Sequence, residues 1–412
     1  MLLSLAALLA SAAILLAGGG LQGTLVAVRA NLENFPLPVI GLLMSTYYVG
    51  FIAGCLIAPS MVARAGHIRT FGALAAMAAA AALIYALSVH IVLWLALRLL
   101  TGFCFAGLYM IVESWINEKC GNRDRGKVLS VYRIVDLVAM TVGQFLLTLA
   151  PPEGFALFSL VSILITLSIV PVAMTKSIAP EPLTQTRLNV AKLFRISPFA
   201  AAGVLGVGMA NGAFWALGPV YVQKLGFDLE MVAMFMSVAI VAGALAQWPI
   251  GYLSDLLDRR KVLLWTGAAA AASGAFLSAV GVASPTLLLL GGALYGVFAM
   301  PIFGLSAAHA NDHAEADEFV SISSGLLLVY GVGSIAGAAI APLLMDATGP
   351  AALFAYTAGV HSLLFAFGFY RILGSPAVPA DEQADYVPVP RTSPAVFEID
   401  PRSGDDEATA AV

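Results

Sequence analysis

Residues 128–150 read VLSVYRIVDLVAMTVGQFLLTLA, an apolar run long enough to cross a membrane that nevertheless contains Arg133 and Asp136. A charge in hydrocarbon costs at least about 2.5 kcal/mol, even on lenient insertion scales. The two residues are three positions apart, so a helix places them on one face. The run therefore predicts a membrane-spanning helix with a charged pair that has a function.

The composition of the whole chain agrees with a membrane protein. Of its 412 residues, 60% are hydrophobic and 11% are charged, whereas a soluble domain is about 25% charged. The basic residues form no nucleic-acid footprint, and the sequence has no GxxxxGK[ST] loop, metal-ligand cluster or recognisable nucleophile–base pair. We therefore expect no enzyme activity, no cofactor, no metal and no nucleic-acid partner, but contact with a lipid bilayer.

Apolar runs of about 20 residues, the length that crosses a bilayer, recur along the chain. Reading them against polar breaks predicts twelve spans, near 5–28, 38–60, 70–89, 91–116, 127–150, 154–174, 198–223, 229–252, 261–282, 286–310, 319–345 and 350–372. Nearly all Lys and Arg residues between these spans fall on one side, and only Arg29 and Lys224 fall on the other. The positive-inside rule therefore predicts that both termini are cytoplasmic.

The polar breaks also predict how the chain is divided. We expect a six-helix bundle over 1–174, a cytoplasmic linker over 175–197, a second six-helix bundle over 198–372 and a disordered acidic cytoplasmic tail over 373–412. The two bundles show a weak repeat, because Pro59–Arg69 and Gly251–Lys261 follow the second and eighth spans. The fold class is an all-α membrane protein of two six-helix halves, an arrangement found among secondary transporters.

The second copy of that repeat resembles a loop signature of a known family. Gly251-x-x-x-Asp255 with Arg259-Arg260 resembles the loop signature of the major facilitator superfamily, and the first copy retains Arg64, Gly66 and Arg69. Glu113-Ser-Trp-Ile-Asn117 and Ser324-Gly-Leu-Leu-Leu-Val-Tyr330 are similar to the YcaD-like branch. The resemblance implies the major facilitator fold, alternating access, a small-molecule solute and a monomer.

One position departs from the drug/proton antiporters of that superfamily. These carry a Gly-Pro pair late in the fifth span, where this chain has Gly143-Gln144. The departure favours a solute other than a drug.

Asp136 lies nine residues inside a helix that begins near Lys127, about 13 Å deep at about 1.5 Å per residue. We interpret Asp136, Arg98 and Arg133 as a site for proton coupling or for the charge of a substrate. Arg98 in the fourth span reaches a similar height, so it can pair with Asp136 across the helices. The alternative is a static salt bridge between Asp136 and Arg133 that holds the spans together.

Two further sets of candidate residues follow from the twelve-span arrangement. Polar and aromatic residues that can line a central cavity, or simply pack, are Gln22, Thr24, Tyr47, Tyr48, Tyr109, Asn211, Trp215, Tyr295, Phe298 and Tyr330. Charged residues that can form a cytoplasmic gate between the halves, or simply follow the positive-inside rule, are Arg64, Arg69, Glu113, Glu118, Arg125, Asp255, Arg259, Arg260 and Asp312.

These observations predict a secondary active transporter in the bacterial cytoplasmic (inner) membrane. We expect it to be coupled to protons and to move an anionic or polar, planar solute, because two intramembrane arginines face one acid. One alternative is proton-driven efflux of amphipathic drugs or toxic metabolites. Another is a membrane receptor or scaffold that does not transport.

Overall fold

A computed structural model describes residues 2–120, 124–174, 190–280, 284–314, 318–374, 378–379, 383 and 385–400. Helices make up most of this part of the chain. Their bounds are α1 Leu2–Leu32, α2 Leu37–Ala65, α3 His67–Leu87, α4 Ile91–Lys119, α5 Arg125–Leu146, α6 Ala156–Leu167, α7 Ile169–Ala173, α8 Val190–Ile196, α9 Pro198–Lys224, α10 Leu229–Leu256, α11 Arg259–Val280, α12 Pro285–Ala299, α13 Ile302–Asn311, α14 Phe319–Thr348 and α15 Ala352–Gly374.

Twelve stretches of the described chain are long and apolar enough to cross a membrane, which confirms the predicted number of spans. Helices α6 and α7 together form the sixth span, and α12 and α13 form the tenth. The tenth span is interrupted at Pro301 because proline lacks the N–H that a continuous helix needs and clashes with the preceding turn.

Local sequence signals set several helix ends. The Asp228 carboxylate accepts a hydrogen bond of 2.9 Å from the Met231 N–H at the start of α10, and Ser284 caps α12 in the same way. These side chains satisfy backbone donors that a helix start leaves open. Helix α14 ends at Gly349, whose φ of 100° is a conformation that glycine adopts readily.

The two halves repeat one close helix crossing, which fits the repeat seen in the sequence. In the first half, a methyl group at Gly102 of α4 would overlap the Tyr47 carbonyl of α2. In the second half, a methyl group at Gly296 of α12 would overlap the Ala239 carbonyl of α10. Glycine allows the two backbones to touch, so α2 with α4 and α10 with α12 are matching tightly packed helix pairs.

The halves meet along α1 with α9, α2 with α14 and α5 with α10. At the end of the bundle where α2 and α10 begin, the Asn31 amide donates to the Gln223 oxygen at 3.0 Å across the two halves. A methyl group at Gly41 would overlap Pro342 there. We call this the closed end, and we call the opposite end, where α2 and α10 finish at Ala65 and Leu256, the signature end.

The predicted disordered tail is the main difference between the sequence and the structure. Residues 385–400 lie at the signature end, where Pro394–Glu398 forms a 3-10 turn packed on α4 and α14. Val396, Phe397 and Ile399 are fully buried there. The prediction of disorder is wrong for 385–400, because these apolar side chains lack helical spacing yet find a hydrophobic surface between the halves.

The rest of the predicted linker and tail is only partly described. Residues 175–189 of the linker lie outside the described residues, and Val190–Ile196 forms the short helix α8. Helix α15 continues to Gly374, and residues 375–377, 380–382, 384 and 401–412 of the tail lie outside the described residues.

Candidate functional site

A cavity of about 370 Å³ lies between the two halves. Its lining comes from both halves and from residues 391–398 of the C-terminal segment. Seven of the ten cavity candidates line it: Gln22, Thr24, Tyr47, Tyr48, Tyr109, Trp215 and Tyr330.

The other three candidates, Asn211, Tyr295 and Phe298, do not line this cavity. The Tyr295 ring stacks on Phe214 with centroids 5.2 Å apart and belongs to an aromatic cluster inside the second half. Asn211 is fully buried. A span can be recognised from composition, but its rotation about its own axis cannot, so a role for these three residues in solute binding stays a prediction.

Arg133 and Asp136 of α5 both line the cavity. Arg133 Nη1 lies 2.5 Å from Asp136 Oδ2, and each side chain is 11% exposed. The guanidinium also reaches the other half, because Nε and Nη2 donate to Gln247 Oε1 of α10 at 3.3 and 3.2 Å. The Arg133–Asp136 pair, interpreted from the sequence as a coupling or substrate site with a static bridge as the alternative, therefore also connects the two halves.

Arg98 does not pair with Asp136 in this structure, so the predicted bridge between α4 and α5 is wrong for this conformation. Its guanidinium lies over the Tyr47 ring, 4.6 Å from the centroid, and donates to the Met44 sulfur. The side chain is 1% exposed, and its Nε has no hydrogen-bond partner within the described residues. The cavity wall therefore holds a buried cation without a carboxylate beside it.

The gate candidates of the second half form a cluster of their own at the signature end. Arg259 Nη2 lies 2.6 Å from Asp255 Oδ1, and Arg259 Nη1 lies 2.5 Å from Asp312 Oδ1. All three residues belong to the second half. Next to them, Arg260 Nη2 pairs with Asp258 Oδ2 at 3.0 Å.

The gate candidates of the first half have different surroundings. Glu113 is fully buried and accepts a hydrogen bond of 2.8 Å from the Tyr132 hydroxyl. Arg64, Arg69 and Glu118 are exposed, and Arg125 is half-buried. Among the described residues, no ion pair joins Arg64, Arg69, Glu113 or Glu118 to a charged residue of the second half, so the predicted salt bridges across the inner mouth are not formed by these four residues in this conformation.

The C-terminal segment 385–400 occupies the space that those salt bridges would cross. The Thr392 and Ser393 hydroxyls donate to the Glu113 carboxylate. The Arg391 guanidinium enters the cavity and lies 5.0 Å from the centroid of the Tyr330 ring. Asn117 Nδ2 donates to Glu398 Oε2 at 3.3 Å, and burial raises the pKa of Glu398 despite this bond and the charge of Arg125.

Known proteins with similar sequences identify the family of this chain. A family model described as the Major Facilitator Superfamily matches residues 3–248 and 230–397. The chain belongs to the major facilitator superfamily. The MFS-type transporter YcaD of Escherichia fergusonii is 27% identical over 327 residues, which cover 78% of this chain and 84% of that protein. An MFS-type transporter of Enterobacter sp. (strain 638) is 26% identical over 332 residues with the same coverage.

Solved structures agree with the family at the level of the fold. The nucleoside transporter NupG has a TM-score of 0.77 at 14% identity, covering 91% of this chain and 100% of that chain. A bacterial homologue of the human lysosomal transporter Spinster, inward-facing and occupied, has a TM-score of 0.71 at 13% identity, covering 92% and 97%. The chain is thus a multi-pass membrane protein with the major facilitator fold, and its family supports secondary transport.

In this facilitator, sequence reasoning missed Gln247 and Arg391. Gln247 is an amide inside a span, the same signal that singled out Gln22 and Asn211, so a uniform treatment of amides would have found it. Arg391 gave no such signal, because it lies in a proline-rich segment outside the spans. Its place in the cavity depends on contacts with residues far away in the chain.

Proposed function

We propose that this facilitator moves a small anionic or polar, planar solute across the bacterial cytoplasmic membrane, coupled to protons, with the signature end facing the cytoplasm. The placement of basic residues supports that orientation. The bundles 1–174 and 198–372, joined by the linker 175–197, would rock against each other to expose the cavity to alternate sides.

The proposal of an anionic solute rests mainly on the surroundings of Arg98. It is a buried guanidinium in the cavity wall without an acidic partner among the described residues. The Gln22 amide nitrogen in the same wall also has no acceptor within the described chain. Buried donors of this kind are costly unless something accepts from them, and a carboxylate or another anionic group on the solute would do so. The Tyr47, Tyr109 and Trp215 rings of the lining suit a planar body.

Proton coupling is supported by the path from Asp136 to the second half. Asp136 holds Arg133, and Arg133 donates to Gln247. A proton on Asp136 would remove the charge that orients Arg133, so it would weaken the connection between α5 and α10. Proton binding would then bias the equilibrium between the two orientations of the halves, as coupling requires.

The test is thermal stability of the detergent-purified protein against anionic metabolites, flat aromatic acids and cationic drugs. A ligand that binds only the folded state stabilises the protein by about 2.7 kcal/mol when the ligand concentration is 100 times its Kd. We expect an anionic compound to raise the melting temperature, Arg98→Gln to remove that rise, and the exposed control Arg69→Gln to retain it. If no anionic compound stabilises the parent protein, or if Arg98→Gln responds like the parent, the proposal of an anionic solute is wrong.

A second candidate function, efflux of amphipathic drugs, is favoured by the thioethers and aromatic rings of the lining. Met44, Met140 and Met300 line the cavity together with Phe51 and Phe105, and methionine adapts to ligands of varied shape. In the same panel, stabilisation by cationic drugs alone would favour this function and would make Asp136 the recognition group.

A further inference from the structure

The C-terminal segment 385–400 lies in the opening of the cavity at the signature end. We propose that this opening is a peptide-binding site whose occupant is the chain's own segment 385–400, and that the docked segment is a plug that must leave before a solute can pass. The segment contacts both halves at once, and each contact is specific.

The second half holds the segment through the residues of its loop signature. The Tyr386 N–H donates to both oxygens of Asp255, at 3.0 and 3.1 Å. The Tyr386 ring lies directly on Gly251 and Gly304, where a methyl group on either glycine would overlap it. Two residues of the loop signature, Gly251 and Asp255, thus form the contact surface for a tyrosine of the tail.

The first half holds the segment through a buried carboxylate. Glu113 is fully buried, and it accepts hydrogen bonds from Thr392 and Ser393 of the segment as well as from Tyr132 of α5. Three hydroxyl groups thus converge on the two oxygens of one buried carboxyl group. The contacts therefore anchor the middle of the segment at one defined register.

Apolar burial completes the contact. Val396, Phe397 and Ile399 are 0%, 1% and 0% exposed. These fractions are those of a protein core and not of a tail lying on a surface. Burying each such side chain stabilises the docked position.

Closure of the cavity follows from where the segment lies. At the closed end the halves already touch through Asn31 and Gln223 and through Gly41 and Pro342. At the signature end the segment fills the opening and extends Arg391 into the cavity. The docked segment also stands between Asp255 of one half and Glu113 of the other, so the halves cannot approach each other at this end until it leaves.

A native cysteine reports on this opening without any knowledge of the solute. Cys55 lines the cavity, whereas Cys104 is fully buried and Cys120 lies just beyond α4. In a Cys104→Ala, Cys120→Ser background, the rate at which N-ethylmaleimide modifies Cys55 in purified protein measures access to the cavity. The readout requires no transport, so its failure is distinct from failure of the proposed function.

Two kinds of variant release the segment. Ser393→Asp, in the full-length chain, places a carboxylate against Glu113, and truncation after residue 384 removes the segment altogether. We expect both to accelerate labelling by about tenfold or more, since each loses a hydrogen bond to the buried Glu113 carboxyl group. The matched control is truncation after Asp400, which keeps the docked segment and should label at the parent rate.

A synthetic peptide with the sequence of residues 385–400 separates release of a plug from loosening of the whole bundle. It should slow the labelling of the protein truncated after residue 384 and leave the parent unaffected. If neither release variant labels faster than the control, or if the peptide leaves the fast labelling unchanged, the segment is not a plug.

Discussion

Two clusters of carboxylates and guanidinium groups differ in how they join the halves. Arg133 and Asp136 are each 11% exposed and face the cavity, and Arg133 also donates to Gln247 of the opposite half. Arg259 and Asp312 are each 1% exposed and, with Asp255, lie wholly within the second half. The first cluster faces the cavity, as the proposed proton coupling requires. In the second cluster the Arg259–Asp312 pair is sealed, while Asp255 beside it is 26% exposed, and the three residues join the ends of α10, α11 and α13.

The largest expected effect comes from removing the charge of the first cluster. Asp136→Asn should abolish transport driven by a pH gradient but leave solute exchange at equal pH, because the asparagine can no longer bind and release a proton. Proteoliposomes with and without a gradient measure both activities. Asp346→Asn, an exposed carboxylate on α14, is the control. Gradient-driven transport that persists in Asp136→Asn, or exchange that disappears with it, would contradict the coupling role.

Substitutions in the second cluster should lower the stability of the protein and not its coupling to protons. Asp312→Ala removes one of the two carboxylates that pair with Arg259 among the described residues and leaves Asp255. Breaking a buried pair costs about 3–5 kcal/mol, and the remaining Asp255 places the expected loss of unfolding free energy near the lower value, about 3 kcal/mol. Thermal unfolding in detergent checks this against Asp346→Asn. An unchanged melting temperature would show that the cluster does not stabilise the helix ends.

The connection between the halves can be tested at Gln247. Gln247→Leu removes the acceptor of two Arg133 hydrogen bonds, and a hydrogen bond to a charged group is worth about 1.5–3 kcal/mol. We expect solute exchange to quicken by up to about tenfold, because this conformation loses a bond that holds α5 to α10. Gln247→Glu keeps an acceptor and adds a charge that holds Arg133 at least as firmly, so it should not quicken exchange. Equal exchange rates in all three proteins would mean that the bond does not restrain the halves.

The smallest effect is expected beside the second cluster, at Asp258. Burial alone would raise the pKa of Asp258, but the hydrogen bonds and charge of Arg260 outweigh it and lower the pKa. The stabilisation is therefore present above the unfolded pKa of about 3.9 and is lost as the pH falls through the lower folded pKa. Asp258→Asn should cost less than about 1 kcal/mol at pH 7 and less at pH 3, as melting curves at the two pH values would show. If Asp258→Asn cost more stability at pH 3 than at pH 7, the pKa of Asp258 would not be lowered in the folded protein.

Much of the fold could be predicted because each span carries its own signal. Apolar length gave the twelve spans, and the spacing of Arg133 and Asp136 gave their shared face. Breaks within spans were harder to predict. Pro301 interrupts the tenth span, yet Pro59, Pro219, Pro249 and Pro342 lie inside continuous helices. Whether a proline ends a helix in a membrane depends on neighbouring helices that can stabilise the freed backbone groups.

The site was harder to predict because its contacts join distant parts of the chain. Arg133 and Gln247 are 114 residues apart, and Ser393 and Glu113 are 280 apart. Composition described residues 385–400 as proline-rich and without period, which is typical of disorder. Only the surface offered by both halves together shows why Val396, Phe397 and Ile399 become buried.

The binding site for residues 385–400 also has a consequence for biosynthesis. A ribosome makes this segment after all twelve spans, and its partners Glu113 and Asp255 come from different halves. The full set of contacts exists only once both halves have been inserted and have joined. Docking of the segment is therefore complete only after the halves have joined, and resistance of this segment to proteolysis would report that a newly made molecule has assembled.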